Sequence, residues 1–220
     1  VQAACSGFVY ALAVADQFIV SGMYKNILVV GTEVLSKVVD WEDRNTCVLF
    51  GDGAGAVVVS EVDQGGILAS VLGADGRGAD LLSLPAGGSR EPASFETVSN
   101  RRHYIKMNGS EVFKFAVKIL EQSTRDVVSK ANLSLEDITF LIPHQANYRI
   151  IDAAIKRLEL EKDKAIINLN YYGNMSSASI PVALDEAYRA GKFKKGDKIV
   201  LVGFGAGLTW GANLLEWNHI

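Results

Sequence analysis

The chain has 220 residues, 49% of them hydrophobic and 21% charged, with a formal net charge of −3. This composition supplies a full core, excludes a disordered chain, and gives no global reason to bind nucleic acid or a membrane surface. Two cysteines, Cys5 and Cys47, cannot build a disulfide framework, no apolar run nears the ~20 residues of a membrane helix, and a reducing, cytoplasmic setting fits best.

The chain opens without Met inside an apolar run, so an N-terminally truncated fragment is expected. That run stops at Cys5, and Phe8, Leu12, Ala15 and Ile19 then recur at helical spacing. The pattern predicts a helix after Cys5 with the sulfur at its N-terminus, where unpaired N–H groups and the macrodipole favour a thiolate. On position alone, a buried packing cysteine is the commoner reading.

Residues 26–31 read as a buried strand, 47–50 as a short apolar strand-like run, and the glycine-rich 51–55 as the approach to a strand at 56–60. From 65 to 108 periodicity fades into loops and short strands, which divides the chain into 1–64, an irregular connector 65–108, and 109–220. The pattern then becomes regular: helices near 109–130, 148–158 and 176–190, and strands at 138–142, 165–169, 198–202 and 212–216. Strands alternating with helices of ten or more residues predict an α/β fold with right-handed crossovers and a mostly parallel sheet. Residues 27–31 with 53–61 echo 199–203 with 211–216 as strand, glycine-rich turn, strand. A duplicated fold whose first half is incomplete would explain the echo, and so would the ordinary recurrence of such units in α/β proteins.

Of three histidines, His103 falls in the irregular middle and His219 at the C-terminus. His144 is better placed, at the carboxyl end of a strand, where open α/β sheets hold ligands. Pro143 fixes the turn there, and Asn147 suits the N-cap of the helix from Tyr148. Asn174 also lies between a strand and a helix, so Cys5, His144 and Asn174 share one topological place; taken singly, Asn174 is equally a turn or capping residue. No metal is expected, because the cysteines and histidines share no ligand spacing. Gly203-Phe204-Gly205-Ala206-Gly207 precedes a strand rather than a helix, which rules out a dinucleotide fingerprint and suits backbone N–H donors to a substrate oxygen. Papain-like proteases share the Cys, His, Asn order, but here no second cysteine or Trp adjoins Cys5 and the β/α alternation is wrong.

Ala4-Cys5-Ser6-Gly7-Phe8, Pro143-His144-Gln145-Ala146-Asn147, Gly173-Asn174 with Ser179, and Gly203 through Gly211 closely resemble β-ketoacyl-acyl carrier protein synthase III of the thiolase superfamily. Phe50-Gly51-Asp52-Gly53-Ala54-Gly55 and Val112-Phe113-Lys114 agree in order and spacing. Met175-Ser176 stands where that family often has Thr-Ser, which leaves Asn174 in place. The resemblance implies a thiolase-like duplicated, layered α/β fold with mixed, mostly parallel sheets and an incomplete first half.

It also implies the initiating condensation of type II fatty acid synthesis. Cys5 would take an acyl group from acyl-CoA, and the acyl-enzyme would condense with malonyl-acyl carrier protein, losing CO2. The backbone N–H groups of Cys5 and Ala206 would form the oxyanion hole, and His144 and Asn174 would donate hydrogen bonds to the malonyl thioester oxygen. No cofactor is implied, because the thioester supplies the electron sink. Arg44 and Asn147 would contact CoA. Gln145, Ala146, Asn147, Tyr148 and Arg149 would border the carrier-protein site, with Lys114, Lys156 and Arg157 adding basic surface. A homodimer is implied as well. Type III polyketide synthases, which usually carry Gly-Phe-Gly-Pro-Gly where this chain has Ala206, are the enzymatic alternative; a non-catalytic partial chain acting in assembly is the other.

Overall fold

A computed structural model describes residues 1–218; His219 lies outside them. One turn of 3-10 helix at Ala4–Ser6 leads into helix α1 (Gly7–Val20), which buries Phe8, Val9, Leu12 and Ala15 on one face. Strands β1 (Asn26–Val34) and β2 (Asp52–Ser60) pair antiparallel, from Asn26 opposite Ser60 to Val34 opposite Asp52. Strand β3 (Gly66–Ala74) follows, and then the short strands β4 (Leu82–Ser83) and β5 (Lys106–Met107) pair around helix α2 (Phe95–Ser99). Helix α3 (Gly109–Lys130) starts where the Asn108 side chain accepts from the Glu111 N–H, and it precedes strand β6 (Phe140–Pro143). Helix α4 (Tyr148–Leu158) is capped by Asn147, whose side chain accepts from the Arg149 N–H at 2.8 Å. The chain closes with helices α5 (Leu169–Tyr172) and α6 (Ser179–Arg189) and strands β7 (Lys198–Gly205) and β8 (Thr209–Glu216).

Strands β3, β8, β7 and β6 form one sheet in that order. Side chains alternate across it with period two. Val200, Val202 and Leu214 pack with Leu120, Ile151 and Ala154 of α3 and α4, while Ile199 and Leu201 pack with Phe8, Leu12, Ile180 and Leu184 of α1 and α6. Val29 of β1 belongs to the second cluster, so α1 and α6 lie between the sheet and the β1–β2 ribbon. The layers are therefore helices, sheet, helices, ribbon.

The expected helices 109–130 and 148–158 are found with those bounds. Four expectations change. Residues 66–74, assigned to the irregular connector, form a nine-residue strand in the main sheet beside β8. Residues 165–169 are not a strand: a single bridge joins Ala165 to Leu141, and the buried Gln145 side chain takes the backbone groups a ladder would have used. Cys47–Leu49 lie in turns rather than a strand. Among the described ladders only β6–β7 is parallel, so the sheets are mixed but mostly antiparallel. The β7–β8 connection of three residues allows nothing else, since parallel strands need a long crossover.

The sequence echo is a structural repeat. Each copy is a 3-10 turn, a helix and an antiparallel strand pair: Ala4–Ser6, α1, β1, β2 and Ser176–Ala178, α6, β7, β8. Both turns open on a residue with left-handed backbone, Ala4 at φ 46° and Ser176 at φ 47°. In the first copy the strand pair stands alone, and its Leu28, Val30 and Val58 are exposed rather than buried; in the second it is flanked by β6 and β3.

Candidate active site

The two 3-10 turns meet beneath the carboxyl ends of β6 and β7 and bring Cys5, His144 and Asn174 to one cavity. Leu49, Phe50, Met107, Phe113, Phe204 and Leu208 supply much of its apolar wall. Strand β7 can pass Cys5 only because position 205 is glycine: a Cβ there would sit 2.7 Å from the Cys5 nitrogen and 2.9 Å from its Cβ.

Cys5 is buried, and burial pushes its thiol up to about 11. A hydrogen bond with the Ser176 side chain pulls it down, the Glu33 carboxylate raises it further, and the residue's own N–H lowers it. The expected helix-terminus thiolate is thus absent. Helix α1 begins two residues later, at Gly7, and the loss of solvent around the buried sulfur raises its pKa. At neutral pH the sulfur is a protonated thiol that needs a proton acceptor to become a nucleophile.

His144 is anchored through its backbone N–H, which donates to the Val202 carbonyl at 2.7 Å, and its ring meets the Phe204 ring edge-on at 5.5 Å. Burial pushes the imidazole down to about 3, so it is neutral. Its Nδ1 lies 2.7 Å from Ser179 Oγ. Asn174 is held by the Leu49 carbonyl through its N–H at 2.8 Å and by the Gly51 N–H through its carbonyl at 2.9 Å. Its Oδ1 accepts from the Ser176 N–H at 2.9 Å, which fixes the amide and leaves Nδ2, the donor, for the cavity.

Of the residues assigned to CoA, Asn147 lines both this cavity and an adjoining groove shared with Ser110, Phe113, Lys114 and Arg149. Arg44 is exposed on the loop that supplies Leu49 and Phe50, and it does not line the cavity. Ala206 occupies the β7–β8 turn, next to Gly205 in the wall.

Among the carrier-protein residues, Ala146 lines the cavity, Tyr148 and Arg149 are exposed, and Lys114 is exposed beside Glu111 at 2.7 Å. Lys156 and Arg157 lie in the last turn of α4, roughly 12 Å along the helix from Tyr148; they pair with Asp152 at 2.7 Å and Glu121 at 3.7 Å.

Gln145 is the correction. It is fully buried, with Nε2 donating to the carbonyls of Pro143 at 2.7 Å and Ile166 at 3.2 Å, and Oε1 accepting from the N–H groups of Asn168 and Leu169. It ties β6 to the segment leading to Asn174 and has no atom left for a partner protein. Among the described residues no group of three or more His, Cys, Asp or Glu side chains could hold a metal ion, and no helix is long and apolar enough to cross a membrane.

Sequence reasoning missed three residues of the site: Glu33, Ser176 and the hydroxyl role of Ser179. Only the serine-rich run after Asn174 hinted at them. Glu33 gives no signal, because it acts through the pairing of two turns distant in the chain.

A repeated helix and strand-pair unit with a Cys, His and Asn at the meeting of the two copies defines a thiolase-like protein. Residues 1–76 match the family model described as 3-oxoacyl-[acyl-carrier-protein (ACP)] synthase III, and residues 128–217 match its C-terminal model. A beta-ketoacyl-[acyl-carrier-protein] synthase III of Caldanaerobacter subterraneus subsp. tengcongensis is 59% identical over 219 residues, covering 99% of this chain and 66% of the relative. One of Natranaerobius thermophilus is 57% identical, covering 98% of this chain and 67% of the relative. The crystal structure of 3-oxoacyl-[acyl-carrier-protein] synthase III from Aquifex aeolicus superposes with a TM-score of 0.89 at 49% identity, covering 99% of this chain and 66% of that one. The chain belongs to the beta-ketoacyl-[acyl-carrier-protein] synthase III family, and it spans about two thirds of the length of these relatives.

Proposed function

We propose that the protein is an acyltransferase that starts fatty acid chains: acyl-CoA acylates Cys5, and the acyl-enzyme condenses with malonyl-acyl carrier protein to give 3-oxoacyl-acyl carrier protein, CO2 and free Cys5. The observation that carries this reading is the convergence of Cys5, His144 and Asn174 on one largely apolar cavity. Acylation forms the bond from Cys5 Sγ to the acyl carbon and breaks that carbon's bond to the CoA sulfur, with the thiol proton leaving on CoA. The N–H groups of Cys5 and Ala206 serve the oxyanion of that step.

In the second step malonyl decarboxylation leaves an enolate on the thioester, whose oxygen takes a hydrogen bond from Asn174 Nδ2 and one from His144 when its Nε2 carries the proton. The apolar wall disfavours the malonyl carboxylate and so favours departure of neutral CO2, the electron pair of the broken bond passing to the enolate. The enolate carbon then bonds to the acyl carbon as the Cys5 sulfur leaves and takes up a proton from water. The reading needs no cofactor. Arg149 and Lys114 flank the groove at Asn147 and suit an acidic carrier protein arriving with its thioester; Arg44 and Asn147 suit CoA phosphates. We place the enzyme in the cytoplasm as a homodimer.

The test supplies acetyl-CoA and malonyl-carrier protein and follows the 3-oxoacyl product. Product formation that requires the carrier protein supports the reading. Extension with malonyl-CoA alone supports the polyketide alternative, and no turnover supports a non-catalytic role.

A further inference from the structure

Ser179 is completely buried at the first position of α6, and its hydroxyl has three neighbours. The Gln145 N–H donates to Oγ at 3.3 Å, the Ser176 carbonyl lies at 2.9 Å, and His144 Nδ1 lies at 2.7 Å. A hydroxyl has one hydrogen and two accepting lone pairs. The Gln145 N–H uses one lone pair. The Ser176 carbonyl can only accept, so it takes the hydrogen, and the remaining lone pair faces Nδ1. That contact is a hydrogen bond only if Nδ1 carries the imidazole proton. The opposite arrangement, with the hydroxyl donating to Nδ1, turns a lone pair of Oγ onto the Ser176 oxygen at 2.9 Å.

We propose that Ser179 is a positioning residue that selects the His144 tautomer, holding the proton on Nδ1 in the resting protein and presenting Nε2 to the cavity as a proton acceptor. The proposal rests on the condensing-enzyme reading and divides its two half-reactions. In acylation the bare Nε2 takes the proton from Cys5 Sγ as sulfur attacks the thioester carbon, then passes it to the departing CoA sulfur, so no charge or proton is left behind. In condensation Nε2 must donate to the enolate oxygen, which requires the other tautomer and a Ser179 hydroxyl turned onto Nδ1. Ser176 belongs to the same device: its carbonyl orients Ser179, its N–H orients Asn174, and its side chain reaches Cys5. Its left-handed backbone lets one residue serve all three.

The test is nitrogen NMR of the full chain labelled with 15N-histidine, with the His144 signals assigned by their loss in His144→Ala, together with separate rates for Cys5 acylation by acetyl-CoA and for malonyl-carrier protein decarboxylation. The wild type is expected to show a protonated Nδ1 and a bare Nε2 on His144. Ser179→Ala is expected to move the proton to Nε2 and to slow acylation about 10²-fold, the lower range for loss of a general base, while decarboxylation changes far less. A protonated Nε2 in the wild type overturns the assignment even if the variant fails to fold, as does an unchanged tautomer in Ser179→Ala or an equal loss in both half-reactions. Absence of wild-type Cys5 acylation, with the tautomer as assigned, would instead sink the condensing-enzyme reading and leave the assignment standing.

Discussion

The turn that carries Cys5 and the turn that carries Ser177 are copies of one another, yet of the two residues only Cys5 lines the cavity. Each opens on a left-handed residue, each is passed by a glycine in the first strand of the other copy, and the two turns touch. A Cβ at Gly203 would stand 3.3 Å from the Cys5 carbonyl oxygen, and one at Gly31 would stand 2.5 Å from that of Ser177. Two residues further along each strand the copies part. In the first repeat position 33 is glutamate, and its carboxylate accepts from both the Ser177 N–H at 3.3 Å and the Ser177 hydroxyl at 2.7 Å. In the second repeat position 205 is glycine, which has no side chain to take a donor of Cys5. The same backbone thus presents a cavity-lining cysteine in one copy and a serine satisfied by a carboxylate in the other.

The largest expected effect comes from Cys5 itself: Cys5→Ala abolishes acyl transfer from acetyl-CoA, and Cys5→Ser nearly does, because a hydroxyl is a far weaker nucleophile in the same turn. Next, Gly205→Ala drives a methyl against the Cys5 backbone and is expected to slow acylation about 10²-fold, the cost of displacing a nucleophile by about an ångström. Gly31→Ala, the matched change in the other copy, should lower thermal stability instead, through the clash with the Ser177 carbonyl, and equal losses of acylation in the two variants would break the comparison. Ser177→Ala strips the Glu33 carboxylate of its hydroxyl partner and is expected to cost about 1–3 kcal/mol of stability in denaturant titration, with Cys5 acylation little changed. The smallest effect is that of Glu33→Gln. Removing a negative charge that disfavours the Cys5 thiolate lets the thiol pKa fall, so the pH profile of Cys5 alkylation shifts to lower pH, by under ~1 unit for a charge acting across a turn. A shift to higher pH would contradict the assigned sign.

His144 adds a pH test of the fold. Its pKa is lowered from 6.5 to about 3 in the folded chain, so the unfolded chain takes up a proton that the folded one refuses between those values. Stability is therefore full above pH 6.5 and lost as pH falls toward 3, with a slope from this residue of at most ~1.4 kcal/mol per pH unit that His144→Gln removes.

Much of this was legible in the sequence where local signals agree. Asn108 and Asn147 cap helices whose apolar periodicity runs unbroken to Lys130 and Leu158. His144 and Asn174 stood out because both fall between an extended run and a helix. Strand β3 was hidden by Gly65, Gly66 and Gly73, which dilute its alternation, and it is held by pairing with β8, some 140 residues away. Residues 165–169 look like a strand by composition, but the deciding partner is a side chain, Gln145, whose burial no local pattern reveals. The thiol pKa was misjudged for a related reason: the helix terminus is visible in the sequence, whereas the depth of burial is not.

Incubation with acetyl-CoA followed by peptide mass spectrometry tests the central claim most directly, since both turns are read in one digest. The account predicts an acetyl group on the peptide containing Cys5 and none on the peptide containing Ser177. Acetylation of Ser177, or an unmodified Cys5 in correctly folded protein, would contradict it.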